Sequence, residues 1–403
     1  MILTPPGFNL STSAAVPVSL APDGCPIVHG PVTITGHDGD WAVLNQRGYA
    51  ETLAPLPAGP IALAPGDVLI LGKEYNCNSG RAAYMSAAGR SSNAKMAAVS
   101  CVNYQAGPEL FRVAGIGGGQ LVGLLRGYPI PVSQMNLALL PSVTEVEDDG
   151  IVEELEAIFG LFCGEVKSQW ASDQLTPDFQ HPGYGTWMAS YVSQALVVLC
   201  SKLPVARKAR LAKLLVQWGL DIAGAFIDGR VNQPNGGHMQ GRKALVVLAG
   251  HLLGIVQMAA SDGLSTLWQE TRAHFTASPA WWFGWPSGWN CYSDTDGAFL
   301  AQHPSQWTTV DPPNGRSDVY RITNYYPAVC GSQVGTAMAM KLMGLESCIG
   351  LPFIGSVEQW MQGPPQEARD AMSAVGVTLP WGTDYCVNGR ASLCSAAWRK
   401  VFG

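Results

Sequence analysis

The amino-acid sequence predicts an α+β multidomain protein: a β-rich N-terminal domain over residues 1–148, then an all-α, (α/α) toroid-like domain over 149–403. Three observations carry that reading. Short apolar runs separated by Gly and Pro turns fill the N-terminal part. Helical periodicity begins directly after an acidic stretch, Thr144-Glu-Val-Glu-Asp-Asp149. Several of the helical segments that follow are apolar nearly all round.

Residues 1–148 hold 14 of the 28 prolines, which excludes long helices there. Between them lie Pro31-Val-Thr-Ile-Thr35, Trp41-Ala-Val-Leu44, Asp67-Val-Leu-Ile-Leu71 and Ala97-Ala-Val-Ser-Cys-Val102. Apolar runs of this length between turn residues predict a sandwich or an irregular sheet. Gly115-Ile-Gly-Gly-Gly119 lacks the GxGxxG spacing and any following Lys-Ser, so it reads as a loop and not as a phosphate cradle. The acids of Thr144–Asp149 suit the N-terminus of a helix over Ile151-Val-Glu-Glu-Leu-Glu-Ala-Ile-Phe159. Further helices are expected over roughly 185–201, 205–226, 241–261, 264–275, 330–344 and 366–374. A stretch such as Ala244-Leu-Val-Val-Leu-Ala-Gly250 belongs to a helix buried among others. About seven packed helices fit a toroid or an irregular bundle, and no clean internal repeat supports a regular solenoid.

Charged residues are 13% of the chain, about half the usual share, while 47% is apolar, so disorder is excluded. A net charge of −6 argues against a nucleic-acid partner, which would need a basic face. No apolar run reaches the length of a membrane span. Met1-Ile-Leu-Thr-Pro-Pro6 lacks the basic start and apolar core of a classical secretion signal. The expected settings are therefore extracellular after release, virion-associated, or cytoplasmic. The ten cysteines form no CxxC pair, so no metal site and no cofactor are expected. Most read as buried thiols, with Cys386 and Cys394 the one pair that could form a bridge.

Three polar, aromatic segments precede apolar helices and read as loops that gather at one end of the helical domain. They are Asp178-Phe-Gln-His181-Pro-Gly-Tyr184-Gly185, Asn232-Gln-Pro-Asn235-Gly-Gly-His238-Met-Gln-Gly-Arg242-Lys243, and Asp318-Val-Tyr320-Arg321-Ile-Thr-Asn324-Tyr325-Tyr326-Pro327. Binding residues concentrate on such loops over a rigid scaffold. In the second, Gly236-Gly237 permits close backbone approach, and His238 can exchange a proton near pH 7. Arg242 and Lys243 fall in the first turn of the following helix, where cations oppose the helix dipole unless an anion is bound. No acid occurs between Asp228 and Asp262, so Arg230, His238, Arg242, Lys243 and His251 form a basic island that points to an anionic ligand. Plainer readings stand beside these. Gly-Gly-His is equally a turn whose histidine caps a helix, Arg242 and Lys243 can pair with acids elsewhere, Tyr184 and Tyr320 can be half-buried tyrosines, and His251 reads as a core histidine. The block Trp281-Trp-Phe-Gly-Trp285-Pro-Ser-Gly-Trp289 is either a sugar platform or an apolar cover. No GxSxG elbow occurs. Asp178, Asp294, Asp296 and Asp318 are the carboxylates available for a hydrolase.

The run Asn235-Gly-Gly-His238-x-x-Gly-Arg242-Lys243, with its helix ending in Ala249-Gly-His-Leu-Leu-Gly254, resembles a motif of bacterial proteins associated with polysaccharide breakdown. Leu215-Val-Gln-Trp-Gly-Leu-Asp221, Tyr320-Arg321 and Cys330-Gly-Ser-Gln333 look like the same group, over roughly residues 95–362. The wider likeness, at fold level, is to (α/α) toroid polysaccharide lyases. It implies β-elimination on an acidic, uronate-containing polysaccharide. His238 would be the base and Tyr184 or Tyr320 the acid, while Asn235 and Arg242 neutralise the carboxylate that acidifies the C5 proton. Lys243, His181, Arg321, Tyr325 and Trp285 would complete the substrate site. Two other readings remain: a non-catalytic glycan-binding or structural protein of a phage particle, with a second copy or particle neighbours as partners, and a glycoside hydrolase.

Overall fold

The computed structural model describes residues 1–37, 41–45, 54–55, 60–73, 95–103, 107, 109–113, 128–143, 150–163, 185–227, 240–260, 268–272, 303–313, 317–385 and 392–403. It is mixed α and β, with strands between residues 2 and 131 and α-helices from residue 150 onward. The Gly115–Gly119 run lies outside the described residues.

Twelve strands form three sheets among the described residues. The first, in the order β1-β2-β5-β8 (Ile2–Leu3, Leu10–Thr12, Val32–His37, Ile61–Leu63), is antiparallel throughout. The second runs β3-β4-β10-β9-β6-β7 (Val18–Leu20, Pro26–His29, Lys95–Val102, Val68–Lys73, Trp41–Asn45, Ala54–Pro55), with β4 and β10 parallel. Period-2 alternation explains their packing. In β5, Val32 and Ile34 point inward while Thr35 is exposed. Leu3, Leu10, Ile34 and Leu63 of the first sheet share one core with Val28, Leu69, Leu71 and Val99 of the second. The third sheet pairs β11 (Leu110–Phe111) with β12 (Ile130–Pro131). Its Phe111 and Ile130, with Val113 and Val132 beside them, belong to the helical core and not to the sandwich.

The helices are α1 (Gly150–Phe159), α2 (Gly185–Cys200), α3 (Val205–Ile227), α4 (Arg242–Leu253), α5 (Val256–Ala259), α6 (Gln269–Arg272), α7 (Asp318–Cys330), α8 (Val334–Leu342), α9 (Glu346–Ile349), α10 (Leu351–Gln362), α11 (Gln366–Ser373) and α12 (Leu393–Phe402). None is long and apolar enough to cross a membrane. α4 is buried at every position from Arg242 to Gly250, as an all-round apolar helix must be. It packs closely on α3, where any side chain at Gly219 would collide with the Leu245 carbonyl. Lys208, on α3, is 1% exposed and donates to the carbonyls of Leu199 and Ser201, both at 2.8 Å, so a cation closes the C-terminus of α2.

Three features depart from the sequence expectations. The segment from Asp318 to Pro327 is helix, not loop: Ser317 caps it through its hydroxyl to the Tyr320 N–H, and Asp318 lies in the first turn. The expected helix over 241–261 breaks at Gly254, whose φ is 70°, into α4 and α5. α10 and α12 were not anticipated. α12 is capped from a distance, because the Asp384 carboxylate accepts from the N–H groups of Cys394 (2.7 Å) and Ser395 (2.6 Å). Cys394 is buried there, and Cys386 lies outside the described residues.

The sandwich and the helices meet at Arg112, which is 0% exposed. Its guanidinium donates to Asp23 in the sandwich at 3.2 and 2.7 Å, and to Asp221 on α3 at 3.1 and 2.5 Å. Its backbone N–H donates to Gln217 Oε1 (2.9 Å), and Gln217 Nε2 donates back to the Arg112 carbonyl (3.1 Å). The guanidinium also lies 4.9 Å from the ring centre of Phe162, a residue of the sandwich core. A buried ion pair adds little over apolar packing, but removing one partner strands the rest.

Arg112→Met is therefore expected to lower the unfolding free energy by about 3–5 kcal/mol in urea denaturation, because two buried carboxylates lose their cation. Burial also pushes the thiols of Cys101 and Cys200 up to about 12. Both should stay protonated and unlabelled by iodoacetamide at pH 8 in native protein, and react once it is unfolded.

Candidate functional site

Among the residues singled out by sequence, the side chains of Arg242, Lys243 and Tyr320 are described, and Arg321 and Tyr325 are placed by backbone within α7. Asn235, His238, Tyr184, His181 and Trp285 lie outside the described residues, as do Asp178, Asp294 and Asp296.

The head of α4 is built on Gly241. Its φ of 85° is the left-handed conformation that glycine adopts without strain. It also lies so close to α2 that a Cβ there would stand 2.9 Å from the Ala189 N and Cα. The starts of α2 and α4 are thus neighbours. The segment carrying Tyr184 and the segment carrying Asn235 and His238 join the described structure at adjacent points.

A buried polar centre surrounds this contact. The Gly241 N–H donates to Glu270 Oε1 of α6 at 2.6 Å. Lys243 Nζ donates to Thr271 Oγ1 and to the Ile349 carbonyl, both at 2.8 Å. Ser332, in the turn between α7 and α8, donates to the Ala328 carbonyl (2.5 Å) and has its hydroxyl 3.1 Å from Gln240 Oε1, while its own carbonyl accepts from Ser193 of α2 (2.7 Å). Gln240, Arg242, Lys243 and Glu270 are all 0% exposed. Four buried polar atoms of these elements have no hydrogen-bond partner among the described residues: Thr186 Oγ1 of α2, Gln240 Nε2, Glu270 Oε2 of α6 and Gln333 Oε1. Burial is the largest influence on Glu270 and pushes its carboxyl up, against hydrogen bonds from its own and the Gly241 N–H and the charges of Lys243 and Arg242.

Arg242 and Lys243 are both fully buried, and the Glu270 carboxyl, from beyond the acid-free stretch, stands on the Gly241 N–H beside them. The third segment also stands apart. Tyr320 precedes Ser332 by twelve residues, so at ~1.5 Å per residue it lies about 18 Å away along the helix. The Asp318 carboxylate accepts from Thr308 N–H and Oγ1, both at 2.8 Å, and so serves the start of α7. His251 lies in the last turn of α4, half-buried, and burial pushes its imidazole down. Sequence reasoning missed Glu270, Gln240 and Ser332, since nothing local to them signals a meeting across such separations.

Among the described residues no group of three or more His, Cys, Asp or Glu is placed to hold a metal ion. No family model, no curated protein and no solved structure matches the chain.

Gly241→Ala is expected to cost about 2–5 kcal/mol in urea denaturation, from roughly 1–2 for left-handed backbone and 1–3 for the clash with α2. Gly254 has a φ of 70° and nothing within 4 Å of its Cβ position. Gly254→Ala should therefore cost only the first part, about 1–2 kcal/mol.

Proposed function

We propose that the chain cleaves an acidic, uronate-containing polysaccharide by β-elimination, using residues carried to the heads of α2 and α4 in an (α/α) toroid-like helical domain. The observation that supports this is the packing of Gly241 on Met188 and Ala189, which makes the two helix heads neighbours. His238 is the base and Tyr184 the acid, since the segment of Tyr184 joins α2 beside the head of α4, whereas Tyr320 starts α7 about 18 Å from Ser332. Asn235 donates to the substrate carboxylate, which makes the C5 proton acidic enough for an imidazole to remove. Arg242 acts from inside the fold through its charge. The resemblance of Asn235–Lys243 to proteins of polysaccharide breakdown points the same way.

The test is incubation with a panel of uronate polysaccharides, following the ultraviolet absorbance of the unsaturated product. Wild-type protein should produce it, and His238→Ala should lower the rate by about 10²–10⁴-fold, the usual worth of a general base. Reducing ends without the absorbance would replace elimination by hydrolysis. Binding without turnover, retained in His238→Ala, would replace the enzyme by a glycan-binding particle protein.

A further inference from the structure

We propose that Arg369, Arg399 and Trp381 form a non-catalytic holding surface for an acidic glycan, where α10, α11, α12 and the turn at residues 380–383 meet. The cluster stands on its own geometry, while the choice of a glycan as its ligand rests on the reading above.

Two glycines bring the three side chains together. Gly363 follows α10 in the left-handed region, with a φ of 69°. The place its Cβ would take is 2.5 Å from Arg369 Nη2 and 3.1 Å from Trp381 Cβ, so the guanidinium and the foot of the indole converge over it. Gly382, with a φ of 71°, follows Trp381, and its carbonyl accepts from Arg399 Nη2 at 2.5 Å. Both guanidiniums therefore border position 381.

The mount is fixed before any ligand arrives. The Trp381 ring lies 5.2 Å from that of Trp360 and 5.3 Å from that of Tyr326. Trp360 Nε1 donates to the Thr383 carbonyl (2.7 Å), and the Trp360 carbonyl accepts from the Gly382 N–H (2.9 Å). Arg369 Nε donates to the Pro364 carbonyl at 2.9 Å. Each guanidinium is thus anchored to one backbone carbonyl and keeps its remaining N–H groups for a ligand. Side chains ordered in advance lose less entropy on binding.

The charge pattern selects the ligand. Both arginines are exposed and Trp381 is half-buried. Neither arginine forms an ion pair with a carboxylate among the described residues. Facing neighbours on a helix stand three and four residues away, and no acidic side chain occurs at those spacings from Arg369 or Arg399. Asp370 accepts from Gln366 Nε2 at 2.8 Å. Asp384 acts on Arg399 through its charge, but its oxygens accept from the Cys394 and Ser395 amides. Guanidinium forks match carboxylates, and an aromatic ring matches the C–H face of a sugar. A uronate polymer offers both along its length. Held there, it stays at high local concentration between cleavages.

Titration calorimetry with oligosaccharides of galacturonate, alginate and hyaluronan tests this, with a malto-oligosaccharide as the neutral control. Wild-type protein should bind an acidic oligomer and not the neutral one. Arg369→Gln and Arg399→Gln should each weaken binding roughly three- to tenfold, and together roughly tenfold or more. On a cleaved polymer the double variant should raise KM and leave kcat unchanged. A footprint on wild-type protein decides even where the variants do not fold. The bound oligomer should slow phenylglyoxal modification of Arg369 and Arg399, while Arg210, whose side chain is 70% exposed, reacts as before. No binding to any acidic oligomer, binding within about twofold of wild type in the double variant, or equal shielding by inorganic phosphate would overturn the surface. So would tighter binding of a single-stranded oligonucleotide. Arginine-dependent glycan binding without any unsaturated product would remove the lyase and keep the surface. Product formation with binding unchanged in the double variant would do the reverse.

Discussion

Among the described residues, the arrangement of sandwich and helices depends on one buried cation. Arg112 offers its guanidinium to two carboxylates from different parts of the fold, Asp23 beside β4 and Asp221 on α3. Gln217, one turn before Asp221, holds the Arg112 backbone in both directions. The register of the segment leaving β11 is therefore set against α3. The consequences propagate outward. α3 sets the position of α4 through the close approach at Gly219, and α4 presents Gly241 to α2. The heads of α2 and α4 are thus referenced, through three contacts, to the sandwich.

The two buried charged centres are built differently. Around Arg112 the Asp23 carboxylate also accepts from the Cys25 N–H and Asp221 also accepts from Gln217, so the carboxylates are served as fully as the cation. Such a centre gives a single arrangement of sandwich and helices. At the head of α4 the pattern is looser. Glu270 Oε2, Gln240 Nε2, Gln333 Oε1 and Thr186 Oγ1 lack partners among the described residues. An unsatisfied buried polar atom costs about 1–3 kcal/mol, so this part of the helical core is satisfied less fully among the described residues than the centre around Arg112.

Much of the secondary structure was legible in the sequence because local rules decide it. β5 alternates, α1 follows an acidic stretch, and α4 is a long run apolar all round, so local pattern identifies each. Where distant residues decide, the reading failed. The stretch from Asp318 looks like a loop because tyrosines, Asn324 and Pro327 are poor helix formers, yet Ser317 caps it and Ile322, Tyr326 and Cys330 bury one face. α12 needs Asp384, and no sequence rule connects a carboxylate to amides ten residues on through a left-handed Ser392. The site was half legible. The glycines before α4 and the cations in its first turn announce a special helix head, but the carboxyl on the Gly241 N–H comes from α6, and Gln240 meets Ser332 92 residues away.

The occupied head also narrows the chemistry of any acidic ligand. An acid-free stretch with two adjacent cations suggests ion pairing as the means of recognition. Burial of Arg242 and Lys243 removes that option, because a polymer in water cannot reach side chains with no exposed surface. Their charges still act through the low-dielectric interior. On the proposed reading, what remains for contact with the carboxylate is a neutral amide, Asn235, with His238 kept as the base. Neutral donors stabilise a carboxylate most as its charge spreads into an enolate-like intermediate, and they hold the resting substrate less tightly than a salt bridge would. On the proposed reading, that balance favours the transition state over the ground state, which is the condition for binding energy to appear as rate.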